Sequence, residues 1–163
     1  MNLTSQDLAR FVQENGITAE IIHLSEATPT VVTAAAVLGV RPDQIIKSVL
    51  FLADKEPVLV VANGTVRIHR KQLADRLSMS RRRVKMAGAE QVLAITGFPV
   101  GTVPPFGHRD ALPTLVDAGV LGETAVFGGG GAINALLRVT PQELLRVTAA
   151  RVVDVVEQVD TIE

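Results

Sequence analysis

The stretch Ile45-Ile46-Lys47-Ser48-Val49-Leu50-Phe51-Leu52-Ala53 decides the fold of this chain. Apolar and β-branched residues fill it except at Lys47 and Ser48, a pattern typical of a strand in the interior of a sheet. The turn residues Asp54-Lys55-Glu56-Pro57 follow, and residues 58–62 then predict a second strand. The sequence therefore predicts a β-hairpin at the centre of the fold.

Outward from this hairpin, helical and strand patterns alternate. Asn63-Gly64 predicts a further two-residue turn, with a return strand over residues 65–68. Two helices are predicted after the N-caps Thr4 and Thr30, and two more over residues 71–77 and 89–96. A fifth is predicted from Pro141 to about residue 148, and Thr140 to Glu143 predict a capping box at its start. Other strands are predicted over residues 20–24, 112–117, 125–127, 132–139 and 152–156. Interleaved helices, strands and hairpins favour an α/β fold with a mixed sheet over a doubly wound parallel one.

Length and composition restrict the function classes. The 163 residues fit one domain, 1–163, and 47% hydrophobic with 20% charged residues is typical of an ordinary globular protein. The absence of cysteine excludes disulfides, thiolate metal sites and a cysteine nucleophile. No signal peptide and no apolar run long enough to span a bilayer is visible, so we expect a cytoplasmic protein without a membrane partner.

Positive charge is concentrated in one segment, although the net charge is only −1. Residues 67–85 contain eight basic side chains and a single acid, Asp75, so this segment carries +7 and the remainder −8. Such a local basic stretch is expected where a polyanion docks, and it is also compatible with a solvated loop. The four basic residues that we predict to contact such a polyanion are Arg81, Arg82, Arg83 and Lys85.

Common catalytic motifs are missing. His23, His69 and His108 are not spaced as metal ligands, and none of the five serines lies in a G-x-S-x-G nucleophile elbow. The glycines from Gly128 to Gly131 lack the Lys-Ser/Thr of a phosphate loop and lead into a predicted strand. A tight turn with backbone exposed to a ligand is the alternative for these glycines.

Three motifs nevertheless occur in a recognisable order. The first is Lys47 within its apolar strand, where an ammonium is costly unless it finds a partner or reaches water. The second is the stiff loop Gly101-Thr102-Val103-Pro104-Pro105-Phe106-Gly107-His108, and the third is the glycine turn followed by Thr140-Pro141.

In order and spacing these motifs resemble the YbaK/EbsC-like family, which includes the editing domain of bacterial prolyl-tRNA synthetases. The matching positions are Lys47, then Gly101, Pro105 and His108, then Gly129 and Gly130, then Thr140-Pro141. The segments 30–39 and 83–86 also look like the family, and the resemblance runs from about residue 20 to 156.

The resemblance implies a mixed, partly barrel-like sheet surrounded by helices. It implies hydrolysis of the ester of a mischarged aminoacyl-tRNA, with tRNA for proline as the expected carrier, prolyl-tRNA synthetase as a candidate partner, and no metal, cofactor or DNA. Lys47 and Gly101 would be catalytic, and five residues would bind the substrate: Thr30, Pro105, His108, Gly129 and Gly130. The polyanion at Arg81, Arg82, Arg83 and Lys85 would be the tRNA. A non-catalytic tRNA- or synthetase-binding module and a small-molecule hydrolase remain alternatives, and the amino acid removed stays open.

Overall fold

The computed structural model describes residues 2–157, and its helices follow the caps present in the sequence. They are α1 (Ser5–Glu14), α2 (Val31–Leu38), α3 (Arg70–Arg76), α4 (Ala89–Thr96) and α5 (Pro141–Thr148). Thr4 and Thr30 each form a capping box with the residue three positions on, and Gly39 and Gly97 end α2 and α4 in the left-handed conformation. The predicted helices are confirmed to within about one residue at their starts.

Eight strands form two sheets within the described residues. The strands are β1 (Ala19–His23), β2 (Ile46–Ala53), β3 (Glu56–Asn63), β4 (Val84–Met86), β5 (Thr114–Asp117), β6 (Val126–Gly129), β7 (Ala135–Val139) and β8 (Arg151–Val153). The larger sheet has the order β4-β2-β3-β5-β8 and the smaller one β1-β7-β6. Because β5 pairs in parallel with both β3 and β8 while the other ladders are antiparallel, the larger sheet is mixed, as predicted.

The hairpin of β2 and β3 is the centre of the larger sheet. Its two-residue turn, Asp54-Lys55, has positive φ angles of 52° and 73°, which suits the right-handed twist of the two strands. Apolar side chains on the two faces of this hairpin enter separate cores: Ile46 and Leu50 belong to one, and Phe51 and Ala53 to the other. The hairpin is therefore buried on both faces.

The predicted return strand at residues 65–68 is wrong. Asn63 is the last residue of β3, and its side-chain Oδ1 accepts hydrogen bonds from the Thr65 N–H (2.9 Å) and hydroxyl (2.8 Å). Both edges of β3 are already occupied, by β2 and by β5, so no edge is left for another strand. Instead, the segment after Gly64 leads into α3, with an isolated antiparallel bridge between Ile68 and Val156.

A single bridge among the described residues connects the two sheets without closing a barrel. Ile45, immediately before β2, forms a parallel bridge with Phe127 of β6. Beyond this bridge, β2 has no ladder with the smaller sheet among residues 2–157, so the barrel is partial and an opening remains between the sheets.

The predicted capping box at Thr140 forms only in part. The Thr140 hydroxyl accepts the Glu143 N–H (3.2 Å), but the Glu143 carboxylate turns to the Thr18 N–H (2.6 Å) and to Arg146 (2.6 Å). Glu143 thus links α5 to the segment before β1, a contact between residues distant in sequence. The hydrogen bond from Arg146, followed by that from Thr18, lowers the pKa of Glu143 to about 2.

This lowered pKa predicts an acid-dependent loss of stability. The folded pKa of Glu143 lies below its usual value of 4.5, so its contribution is complete above that pH and is lost as the pH falls through about 2. We expect Glu143→Gln to make the decline in unfolding free energy over this pH range shallower, as measured by urea denaturation. The matched variant Glu14→Gln, at an exposed site in α1, should keep the wild-type slope; equal slopes in all three proteins would contradict the assignment.

Candidate functional site

An opening beside β2 forms a cleft. The short strand β4 pairs only with Phe51, Leu52 and Ala53, and the bridge to Phe127 lies at the other end of β2. Between these two contacts, residues 46–50 line a cleft of about 350 Å³. The start of α2, the loop at residues 100–103, and Gly128 and Gly129 complete its walls.

Lys47 is the one titratable side chain among the described residues that line this cleft. Its Nζ donates a hydrogen bond to the Val66 carbonyl, so the segment that leaves β3 supplies the partner that an ammonium in an apolar strand requires. Burial, and secondarily the charge of Arg67, lowers the pKa of Lys47. Because an ammonium has three donors, two remain for a ligand.

The glycine run allows the loop at residues 98–108 to pack against β6 backbone to backbone. A Cβ on Gly129 would lie 2.2 Å from the Val103 carbonyl oxygen, and one on Gly130 would lie 2.5 Å from the Ala135 carbonyl carbon. The Gly131 N–H donates to the Thr102 carbonyl (2.9 Å) and fixes the same contact. The glycines are thus required by close packing of the protein's own backbone, whether or not a ligand also approaches them.

Gly101 differs from these glycines. Its φ is +89°, and a Cβ built there would meet no protein atom within 4 Å. It is exposed and lines the cleft, so the requirement for glycine comes from backbone conformation and from the space in front of it.

The structure brings together part of the predicted site. Thr30, Lys47, Gly101 and Gly129 line the cleft. Three other predicted substrate-binding residues are absent from its described lining: Pro105, His108 and Gly130. Their roles stay predictions.

Pro105 and His108 line a smaller cavity of about 110 Å³. His108 Nε2 donates to the Pro104 carbonyl (2.7 Å), its ring packs edge-on against Phe98, and burial lowers its pKa. These contacts give His108 a structural role in shaping the loop.

The predicted tRNA-binding residues occupy different surroundings. Arg81 lines a groove of about 350 Å³ together with three further cations: Arg67, Arg70 and Lys71. Arg83 pairs with Asp54 at 2.5 Å, while Arg82 and Lys85 are exposed. Arg67 follows Val66, whose carbonyl holds Lys47, so the basic groove begins beside the cleft.

Ser48, Met86 and Val100 also line the cleft and were missed from the sequence. Met86 and Val100 are 66% and 59% exposed, which is high for large apolar side chains. The Ser48 hydroxyl is buried without a hydrogen-bond partner. Only the Lys47-Ser48 interruption of the apolar run could have drawn attention to Ser48 beforehand.

Within residues 2–157, no three His, Asp or Glu side chains are grouped in a way that could hold a metal ion. The same part of the chain contains no helix with the length and apolarity needed to cross a membrane.

Comparison with known proteins defines the class first. A crystal structure described as that of "a putative trans-editing enzyme for prolyl tRNA synthetase" superposes with a TM-score of 0.88 at 32% identity, covering 94% of this chain and 97% of the other. The family model for the aminoacyl-tRNA editing domain matches residues 25–147. The chain belongs to this aminoacyl-tRNA editing domain family, of the YbaK-like type.

Two relatives illustrate the family. A proline–tRNA ligase of Nitratidesulfovibrio vulgaris is 31% identical over 109 residues, which is 67% of this chain and 19% of the ligase. The chain therefore spans about a fifth of the length of that relative. The protein YwhH of Bacillus subtilis is 30% identical over 134 residues, with 82% of this chain and 83% of YwhH covered.

Substitution by alanine is expected to destabilise the protein more at Gly129 than at Gly101. Gly129→Ala forces a backbone shift at Val103, so we expect a loss of about 2 kcal/mol or more of unfolding free energy. Gly101→Ala meets no protein atom and carries only the cost of a positive φ, about 1 kcal/mol. Chemical denaturation of both variants tests this order; a larger loss for Gly101→Ala would contradict it.

Proposed function

We propose that this protein hydrolyses the ester between a wrongly attached amino acid and the 3′-terminal adenosine of tRNA, with tRNA for proline as the carrier. The supporting observation is a cleft with a single ionisable residue, Lys47, in a chain of the aminoacyl-tRNA editing domain family. The proposed enzyme acts in trans on tRNA mischarged by prolyl-tRNA synthetase, which places its work in the cytoplasm.

A positioning mechanism fits this lining. The described cleft residues include no carboxylate, histidine or cysteine, so they contain no catalytic triad, and in the proposed reaction Lys47 acts as a cation rather than as a base. In the proposed reaction, water adds to the acyl carbon, the carbon–oxygen bond to the ribose breaks, and the ribose oxygen takes a proton. The neighbouring ribose hydroxyl relays the proton of the attacking water. Fixed backbone N–H groups and Lys47 stabilise the negative charge that develops on the acyl oxygen.

The basic groove is the proposed docking surface for the tRNA phosphates. Arg67, Arg70, Lys71 and Arg81 give it four cations against one acid, Glu157, which pairs with Arg67 at 4.0 Å. The groove begins at the Val66 carbonyl that binds Lys47. A tRNA whose 3′ end enters the cleft would therefore pass basic side chains immediately outside it. Exposed Arg82 and Lys85 extend this surface, whereas the ion pair with Asp54 partly neutralises Arg83.

Removing the cleft's ammonium should abolish most catalysis. We expect Lys47→Ala to lower kcat/KM for a mischarged tRNA about 100-fold or more, because the variant lacks a donor to the developing charge. Lys47→Arg should also fail, since a planar guanidinium does not replace a compact ammonium held by the Val66 carbonyl.

The matched control is Lys55→Ala, which removes an exposed lysine from the β2–β3 turn. Deacylation assays should run beside thermal unfolding, so that a folded but inactive Lys47 variant can be recognised. A folded Lys47→Ala variant with near wild-type turnover would overturn the mechanism. Tight tRNA binding by the wild type without turnover of any mischarged tRNA would favour the non-catalytic module instead.

The groove makes a prediction about salt. We expect Arg70→Gln/Arg81→Gln to raise KM for whole tRNA with kcat nearly unchanged, because the two arginines would bind phosphates away from the reacting ester. The log–log dependence of binding on salt should become shallower by roughly 0.7 to 0.9 for each phosphate that the variant no longer neutralises.

Steady-state deacylation at several salt concentrations provides the measurement. Arg10→Gln/Arg138→Gln removes the same charge from exposed positions in α1 and β7 and serves as the control. Equal salt dependence in the two double variants would assign the groove no part in tRNA docking.

A further inference from the structure

The hydrogen-bonding pattern of β2 leaves one peptide edge open at the cleft. The two-residue turn pairs Ala53 with Glu56, so Ala53 directs its N–H and C=O toward β3. Because the direction alternates along a strand, Phe51, Val49 and Lys47 do the same. Pro57, which has no N–H, stands opposite Leu52, in agreement with this alternation. Even-numbered residues of β2 consequently direct their N–H and C=O away from β3.

Two contacts confirm the direction of the even-numbered residues and bracket the open position. The Leu50 carbonyl accepts the Ala87 N–H (2.9 Å) beside β4, and the bridge between Ile45 and Phe127 covers the other end of β2. Between them lies Ser48, a residue of the cleft wall. No ladder or bridge described within residues 2–157 pairs the outward edge of Ser48, and its buried hydroxyl has no hydrogen-bond partner.

An N–H and a C=O on one strand residue form a specific recognition element. In an antiparallel pair, they exchange two hydrogen bonds with the C=O and N–H of a single facing residue. An aminoacyl group carries such a donor and acceptor on one α-carbon, namely the α-ammonium and the acyl oxygen. The length of β2 left uncovered between β4 and β6 is suited to one residue.

We propose that the open edge at Ser48 binds the aminoacyl group of the substrate as a one-residue antiparallel strand. The α-ammonium donates to the Ser48 carbonyl, and the acyl oxygen accepts the Ser48 N–H. This inference rests on the proposed function and assigns Ser48 as the residue that positions the ester. The substrate's side chain then lies on the face of β2 that carries Ile46 and Leu50.

The antiparallel direction agrees with the rest of the site. An added residue that runs opposite to β2 directs its carboxyl side, and therefore the ribose, toward the start of β2. That end lies beside Gly64, whose N–H donates to the Ile45 carbonyl (2.7 Å), and the chain continues from there to Val66 and Arg67. The tRNA would then leave the cleft on the side where the basic groove begins.

Amide hydrogen exchange of the whole chain, measured by NMR, tests the open edge directly. In the free protein the Ser48 N–H should exchange quickly, while those of Lys47 and Val49, which face β3, should be protected. The ligand is an adenosine in which a 3′-amide replaces the ester, carrying the amino acid that a deacylation panel identifies. At 100 times its Kd, it should slow exchange at Ser48 by about 100-fold and leave Lys47 and Val49 unchanged.

A second ligand tests the hydrogen bond from the α-ammonium to the Ser48 carbonyl. A variant tests whether the backbone of Ser48, and not its hydroxyl, binds the ligand. The analogue without the α-amino group should bind at least about tenfold more weakly, because the donor to the Ser48 carbonyl is missing. Ser48→Ala should keep the ligand-induced protection at residue 48, because the backbone edge is retained.

Protection of Ser48 in the free chain comparable with that of Val49 would overturn the inference. Binding of the 3′-amide ligand without slower exchange at Ser48 would also overturn the inference. That result would leave the proposed deacylase function intact. Absence of both deacylation and binding would overturn the proposed function and this inference together.

Discussion

The pairing of β2 with β3 is the constraint on which the site depends. The tight Asp54-Lys55 turn determines which peptide groups of β2 face β3 and which face outward. A shift of one residue would exchange the two faces of the strand, moving Ile46 and Leu50 out of one core and Phe51 out of the other. Because both cores resist this exchange, the register also fixes the position of Lys47 and of the open edge at Ser48.

Close approach of two irregular segments completes the cleft. The loop at residues 98–108 lies against β6 at distances that exclude a Cβ on Gly129, and Gly130 packs in the same way against Ala135. This close backbone packing holds the loop together with the buried side chains of Phe98 and Phe106. Gly101 can therefore keep its positive φ at the mouth of the cleft on a supported loop.

Positive charge is distributed unevenly between the cleft and the basic groove. The cleft wall is mainly apolar and contains Lys47 as its ionisable residue, whereas the cations of the basic groove lie outside it. Val66 and Arg67 connect the two regions. The Val66 carbonyl binds the Lys47 ammonium, and the charge of Arg67 adds to the effect of burial in lowering the pKa of that ammonium. Several cations thus lie outside the cleft, whereas a ligand inside the cleft would meet one.

The sequence by itself determined the elements whose causes are local. Helix caps such as Thr30 with Gly39, the strand at residues 46–53 and the Lys47, Gly101 and glycine-turn motifs depend on residues near one another in the chain. These sufficed for the mixed α/β fold and the editing family. They also placed Thr30, Lys47, Gly101 and Gly129 in a common site, which the cleft contains.

Tertiary structure alone decided the features that depend on competition between distant segments. Asn63-Gly64 has the sequence of a hairpin turn, yet β5 already occupies the edge that a return strand would need. Glu143 has the spacing of a capping box, but the Thr18 N–H and Arg146 compete for its carboxylate. The open peptide edge at Ser48 was equally hidden, because whether a strand residue is paired depends on where the neighbouring strands end.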